Sequence, residues 1–123
     1  MNYDEAIEYI ETVSCSGIMP GLVRIQALLE KTEHPEKKCN VIHVAGTNGK
    51  GSVCSYISSI LMKAGYRVGR YVSPTLFDYR ERIQINDSWI SKADTAYWMS
   101  RVREADEKMQ AEGMEGASAF ELE

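Results

Sequence analysis

The sequence predicts an α/β fold, a parallel sheet flanked by helices with a small hairpin added. Three features predict it. A β-branched apolar run, Val41-Ile42-His43-Val44-Ala45, leads straight into a glycine-rich turn; a helical stripe follows the turn; and a second strand-like run follows that helix. The 123 residues, 44% hydrophobic and 26% charged, fit one ordinary globular domain or part of one, long enough to bury a core.

The elements follow in order. Asn2 with Glu5 has the form of a capping box, and Tyr3, Ile7, Ile10 and Val13 recur at helical spacing after it. That pattern stops over residues 14–17, and Pro20-Gly21 marks a turn. Leu22, Ile25, Leu28 and Leu29 predict a second helix ending near Thr32, and residues 33–40 read as a solvated loop. Residues 41–45 are the first strand. Val53, Ile57, Ile60, Leu61 and Ala64 then form a helical stripe, with Gly65 suited to its C-terminal end.

Residues 66–72 are the second strand, closed by Ser73-Pro74. A helical connection between two strands predicts parallel pairing with a right-handed crossover. Residues 82–85 and 88–90 flank Asn86-Asp87 and predict a tight hairpin. Ser91 and Asp94 open a long helix with Trp98, Val102, Ala105 and Met109 on its core face and Gly113 beyond its end. Residues 114–123 begin a further element.

Charge and cysteine content exclude several classes. Residues 1–103 hold 13 bases against 11 acids, a net of +2, whereas residues 104–123 hold one base and seven acids, a net of −6. With no basic stripe and a pI near 5.2, a nucleic-acid partner is not expected. Cys15, Cys39 and Cys54 make no paired motif, so buried, reduced thiols are expected rather than disulfides or zinc. Cys39 and His43 lack a second ligand pair, and His43 reads as a core histidine on the strand. No apolar leader or membrane-length run is present, which points to the cytoplasm and to no membrane partner.

The chemistry concentrates in Gly46-Thr47-Asn48-Gly49-Lys50-Gly51-Ser52. A strand that enters a loop of small residues and then a helix offers anions a row of backbone N–H groups at a helix N-terminus. The glycines let phosphate oxygens approach the backbone, Lys50 supplies a compact charge, and Ser52 supplies a hydroxyl for Mg²⁺. The segment departs from the standard phosphate loop GxxxxGK[ST] twice: Val44 stands where its first glycine would be, and Gly51 separates Lys50 from Ser52. The site expected is for a nucleoside triphosphate with Mg²⁺.

Residues 43–53 resemble the ATP-binding loop of the folylpolyglutamate synthase and dihydrofolate synthase family, within the Mur ligase superfamily. Three more blocks are similar to that family, in its order: Gly21-Leu22-Val23-Arg24-Ile25 with Leu28-Leu29; Tyr71-Val72-Ser73-Pro74 with Glu81-Arg82-Ile83, Asn86 and Ile90; and Ser118-Ala119-Phe120-Glu121, with Ser118 where the family has Thr. The resemblance implies a phosphate-loop ATPase fold, the N-terminal part of the Mur-ligase central domain. It also implies ATP-dependent ligation of L-glutamate to a folate or dihydropteroate carboxylate through an acyl phosphate.

By position, the resemblance assigns the triphosphate to Gly46, Thr47, Asn48, Gly49, Lys50, Gly51 and Ser52, with Lys50 on the transferring phosphoryl group. It assigns Mg²⁺ to Ser52, Ser73 and Glu121. Arg82 has two readings, a folate or phosphate contact and an ion-pair partner of Glu81 or Asp78. The loop around residues 16–22 is the one candidate for pterin recognition. The family's glutamate-binding domain, its histidine metal ligand, its modified lysine and its base pocket all belong downstream. Residues 1–123 are therefore expected to be an N-terminal part that does not ligate alone and that self-associates through an unfinished sheet. Two alternatives are a peptidoglycan-precursor ligase, which places Thr directly after the lysine, and a non-catalytic nucleotide-binding module. A small phosphotransferase lacks any recognisable acceptor base.

Overall fold

A computed structural model describes residues 1–14 and 20–123. It divides into two compact units, Met1–Val41 with Ala93–Glu123, and Ile42–Lys92.

The first unit is helical. Helix α1, Tyr3–Ser14, opens on the expected box: the Asn2 N–H donates to Glu5 Oε2 at 2.7 Å and the Glu5 N–H to Asn2 Oδ1 at 2.9 Å. Helix α2 spans Val23–Lys31, and Leu22, just before its first turn, is exposed. Helix α4, Lys92–Ala111, is the longest, and a short α5, Ala119–Leu122, follows. Their common core is Leu28, Ala105, Met109, Ala117 and Leu122, with Tyr9, Val13, Ile25, Val102 and Met114 packed on it. Met109 is fully buried, so truncating it to Ala removes roughly 2–5 kcal/mol.

The core face of α4 carries Val102, Ala105 and Met109 as expected but departs from the expected one at Trp98. Trp98 is 57% exposed and stacks edge-on against Tyr97, while Thr95, Met99 and Asp106 are buried. The buried residues of α4 are Thr95, Ala96, Met99, Ala105, Asp106 and Met109, with Val102 half-buried. A hydrophobic pattern passes over Thr95 and Asp106 because they are polar. Asp106 earns its burial through hydrogen bonds: Oδ1 accepts from the Ala117 N–H at 2.7 Å, and Oδ2 accepts from Gln110 Nε2 at 2.7 Å and Tyr9 Oη at 3.3 Å. Burial and the Asp106 charge push the Tyr9 hydroxyl up to about 12.

The second unit contains α3, Lys50–Lys63, and three short strands: β1, Gly69–Tyr71; β2, Ile83–Ile85; and β3, Ser88–Trp89. The sheet order is β1-β2-β3 and both pairings are antiparallel, with Arg70 opposite Gln84 and Gln84 opposite Trp89. The hairpin turn is as expected. Asn86 and Asp87 both have positive φ, 47° and 63°, the requirement of a two-residue turn that matches strand twist.

The parallel sheet is not seen. Residues 41–45 form no ladder among the described residues, and the run at 66–72 narrows to β1 and pairs with the hairpin. Val41 and Ile42 are 71% and 61% exposed, so this apolar run has no neighbouring strand to bury it. The stripe on α3 is likewise open, with Ile60 67% exposed. His43 is exposed and not a core residue. Cys39 is exposed and Cys54 half-buried, both as free thiols, while Cys15 lies outside the described residues. No helix among the described residues is long and apolar enough to cross a membrane.

Candidate functional site

The glycine-rich loop runs directly into α3. Gly49 is the N-cap, at φ 77°, a left-handed conformation that costs glycine nothing and other residues about 1–2 kcal/mol. The first helical bond of α3 is from the Val53 N–H to the Gly49 carbonyl at 3.0 Å. The N–H groups of Lys50, Gly51 and Ser52 thus stand ahead of the helical ladder, at the positive end of a 14-residue helix. All three residues are exposed, and a Cβ built on Gly49 or Gly51 meets nothing within 4 Å.

Lys50 arcs back over this loop. Its Nζ donates to the Gly46 carbonyl at 2.6 Å and to the Thr47 carbonyl at 3.4 Å. The ammonium is therefore held on the same side of the loop as its carbonyls, within one turn of the helix N-terminus. An anion placed there meets three N–H groups and one full positive charge.

Ser73 follows β1 and joins Pro74 through a cis peptide bond. The loop after it is organised by Glu81, whose carboxylate accepts from the N–H groups of Leu76, Phe77 and Asp78 at 3.0, 2.6 and 2.7 Å. The Leu76 N–H and its two neighbours hold the Glu81 carboxyl below its ordinary range. Asp78 is bidentate to Arg80, at 3.0 and 2.8 Å. Arg82 lies over the Tyr79 ring at 5.4 Å, and its Nη1 donates to Tyr71 Oη at 3.5 Å. Glu81 is thus a loop organiser, a role that its sequence position did not reveal.

Glu121 lies in the helical unit, as the third helical residue of α5, where it closes a capping box with Ser118. Its Oε2 accepts from the Ser118 N–H and Oγ, each at 2.8 Å, and from Arg24 Nε at 3.1 Å. Burial pushes its pKa up, but the Ser118 donors and the Arg24 guanidinium outweigh that and hold the carboxyl below its usual value. Glu121 is consequently an ionised oxygen donor at neutral pH. Arg24 is a partner that periodicity could not have found, because 97 residues separate the pair.

The donor types suit Mg²⁺, which prefers hard oxygens and binds through one or two carboxylates plus phosphate oxygens. Among the described residues no three His, Cys, Asp or Glu side chains gather into an all-protein metal cage. Of the loop expected around residues 16–22, residues 16–19 lie outside the described residues.

No protein-family model matches the chain. Its backbone is that of a Mur-ligase-type enzyme: it superposes on folylpolyglutamate synthetase from Lactobacillus casei with a TM-score of 0.91 at 34% identity, covering 99% of this chain and 31% of that one. An FPGS-AMPPCP-folate complex matches with a TM-score of 0.87 at 34% identity, over 99% of this chain and 30% of that one. In sequence, the dihydrofolate synthase/folylpolyglutamate synthase of Bacillus subtilis is 39% identical over 109 residues, 89% of this chain and 25% of its own length. The chain belongs to the folylpolyglutamate synthase/dihydrofolate synthase family. It spans about a quarter of the length of the curated relatives from Bacillus subtilis and Lacticaseibacillus casei, each matched over 89% of this chain.

Proposed function

We propose that this chain supplies the ATP phosphate-binding part of an enzyme that ligates L-glutamate to a folate or dihydropteroate carboxylate. One observation carries the reading: a three-glycine loop with Lys50 folded over it enters α3 through a left-handed Gly49, in a chain of this family. The AMPPCP and folate in the related complex support ATP and folate as its ligands.

A carboxylate does not acylate amines until one of its oxygens becomes a good leaving group. In the proposed reaction a substrate carboxylate oxygen attacks the γ-phosphorus of ATP, ADP departs, and an acyl phosphate forms. The glutamate amine then attacks the acyl carbon and phosphate leaves, giving the amide. The N–H groups of Lys50, Gly51 and Ser52 bind the phosphate chain, and the Lys50 ammonium offsets negative charge on the transferring phosphoryl group. From the family's pattern, Ser52 and Ser73 of one unit and Glu121 of the other are each proposed as an oxygen donor to Mg²⁺, which would neutralise and orient the phosphates. Arg82, fixed over Tyr79, is the proposed contact for an anionic substrate group.

Residues 41–45 are proposed as a strand of a parallel sheet that the longer protein completes around the loop. Their exposure supports this, since β-branched apolar runs of that kind are normally buried on both faces. In this reading residues 1–123 are the N-terminal part of the ATPase domain, the glutamate-binding domain lies elsewhere in the longer protein, and the enzyme works in the cytoplasm.

Calorimetric titration with MgATP tests the phosphate site. The chain binds and Lys50→Ala weakens binding at least about tenfold, one charge-assisted contact being worth roughly 1.5–3 kcal/mol. Equal affinity in the two proteins would remove Lys50 from the site.

A further inference from the structure

We infer that Arg24 is a positioning residue for Glu121, clamping one carboxylate oxygen so that the other is left to coordinate the metal; this rests on the metal role proposed above. Three donors converge on Oε2: Arg24 Nε at 3.1 Å and the Ser118 N–H and Oγ at 2.8 Å each. An ionised carboxylate offers about two lone-pair directions per oxygen, so Oε2 has no capacity left. None of the hydrogen bonds among the described residues reaches Oε1.

The clamp is built into the core edge. The Arg24 and Glu121 side chains are only 11% and 9% exposed, and Arg24 also reaches Glu115 Oε2 through Nη1 at 3.8 Å. The segment between α4 and α5 is held from its other side by Asp106, which accepts the Ala117 N–H at 2.7 Å. These contacts restrain both the Glu121 carboxylate and the segment that carries it. Carboxylates that ligate metals are commonly hydrogen-bonded in this way by outer partners, and loss of such a partner weakens metal affinity roughly 10–100-fold. A guanidinium is suited to the task because its rigid fork sets the plane of the group it holds, which an ammonium does not.

The alternative is that Arg24 only fastens α2 to α5. Affinity for Mn²⁺–AMPPCP, read by water-proton relaxation, and for metal-free AMPPCP, read by calorimetry, separates the two. The unaltered 123-residue chain is compared with Arg24→Ala, Arg24→Lys, Glu121→Gln and Arg24→Ala/Glu121→Gln, at a temperature where circular dichroism shows each folded. Arg24→Ala is expected to lose roughly 10–100-fold in affinity for the metal complex, none for metal-free nucleotide, and nothing further once Glu121 is Gln. If Arg24→Ala does not fold, Arg24→Lys carries the same comparison with a smaller loss.

If Glu121→Gln weakens the metal complex while the Arg24 variants match the unaltered chain, or lose as much in the Gln background, the positioning role is overturned and the metal role stands. If Glu121→Gln changes nothing, or the unaltered chain does not bind the complex, the metal role itself fails and the inference falls with it.

Discussion

The Lys50 ammonium lies 2.6 Å from the carbonyl oxygen of Gly46, four residues earlier in the chain. That bond closes the loop on itself, so the one full positive charge of the segment is held near the N–H groups that open α3. Gly46 and Gly49, both at positive φ, set the backbone that permits it.

Gly49 and Gly51 separate these roles. Gly49→Ala forces a side chain into the left-handed region and is expected to lower stability by about 1–2 kcal/mol in urea denaturation. Gly51→Ala has no such strain, and its Cβ points into open space. In the first turn of a helix it is expected to leave stability unchanged or raise it by up to about 1 kcal/mol. With the phosphates bound as proposed, MgATP affinity is nevertheless expected to fall, because the methyl would stand in their path. A Gly51→Ala chain with full affinity would place the phosphates elsewhere.

Stability at high pH reports on the pair of half-buried Tyr9 and buried Asp106. Burial first, and Asp106 second, raise the Tyr9 hydroxyl from 10.0 to about 12. A pKa raised on folding gives a contribution complete below pH 10.0 and lost as pH climbs towards about 12. Urea midpoints measured through that window should fall more steeply for the unaltered chain than for Tyr9→Phe. Parallel curves would contradict the pairing.

Glu81 predicts the opposite sign at low pH. Its carboxyl, held down first by the Leu76 N–H, has a folded pKa below the ordinary 4.5. The order it gives the loop is complete above that ordinary value and fades as pH falls through the folded one. Hydrogen-exchange protection of the Leu76, Phe77 and Asp78 amides should drop there, and Glu81→Gln should remove the pH dependence. Protection that persists in strong acid would assign the loop's order to other contacts.

Much of the helical architecture was legible because it is local. Asn2 and Glu5 announce α1, Gly49 and Gly65 bracket α3, and Asn86-Asp87 set the hairpin. The sheet was not legible, because residues 41–45 and 66–72 show that they are strand-like without showing what pairs with them. A parallel neighbour for residues 41–45 is absent among the described residues, and β1 instead takes the hairpin as its partner. On the core face of α4, Ala105 and Met109 are buried and Val102 packs on the core as expected, whereas Trp98 is exposed. Asp106 and Thr95 are buried through hydrogen bonds or close packing, which apolar periodicity does not count. The glycine-rich loop was visible as residues, whereas the Arg24–Glu121 contact depends on tertiary structure alone.

Open apolar surface has its own consequence. Val41, Ile42, Tyr56 and Ile60 are 71%, 61%, 70% and 67% exposed. The isolated 123-residue chain is expected to self-associate with rising concentration in light scattering, and Tyr56→Lys with Ile60→Glu should shift it towards monomer. A monodisperse monomer at high concentration would show that this surface is tolerated in water.

The central claim is that these 123 residues can serve as the ATP phosphate-binding part of a glutamate ligase. Replacing the matched residues of the Bacillus subtilis relative with this chain, and measuring glutamate-dependent ADP release with a folate or dihydropteroate acceptor, tests it most directly. The chimera is expected to release ADP and form the glutamyl amide, with a loss of about a hundredfold or more on Lys50→Ala. A folded chimera that binds acceptor yet releases no ADP, or one that Lys50→Ala leaves active, would contradict it.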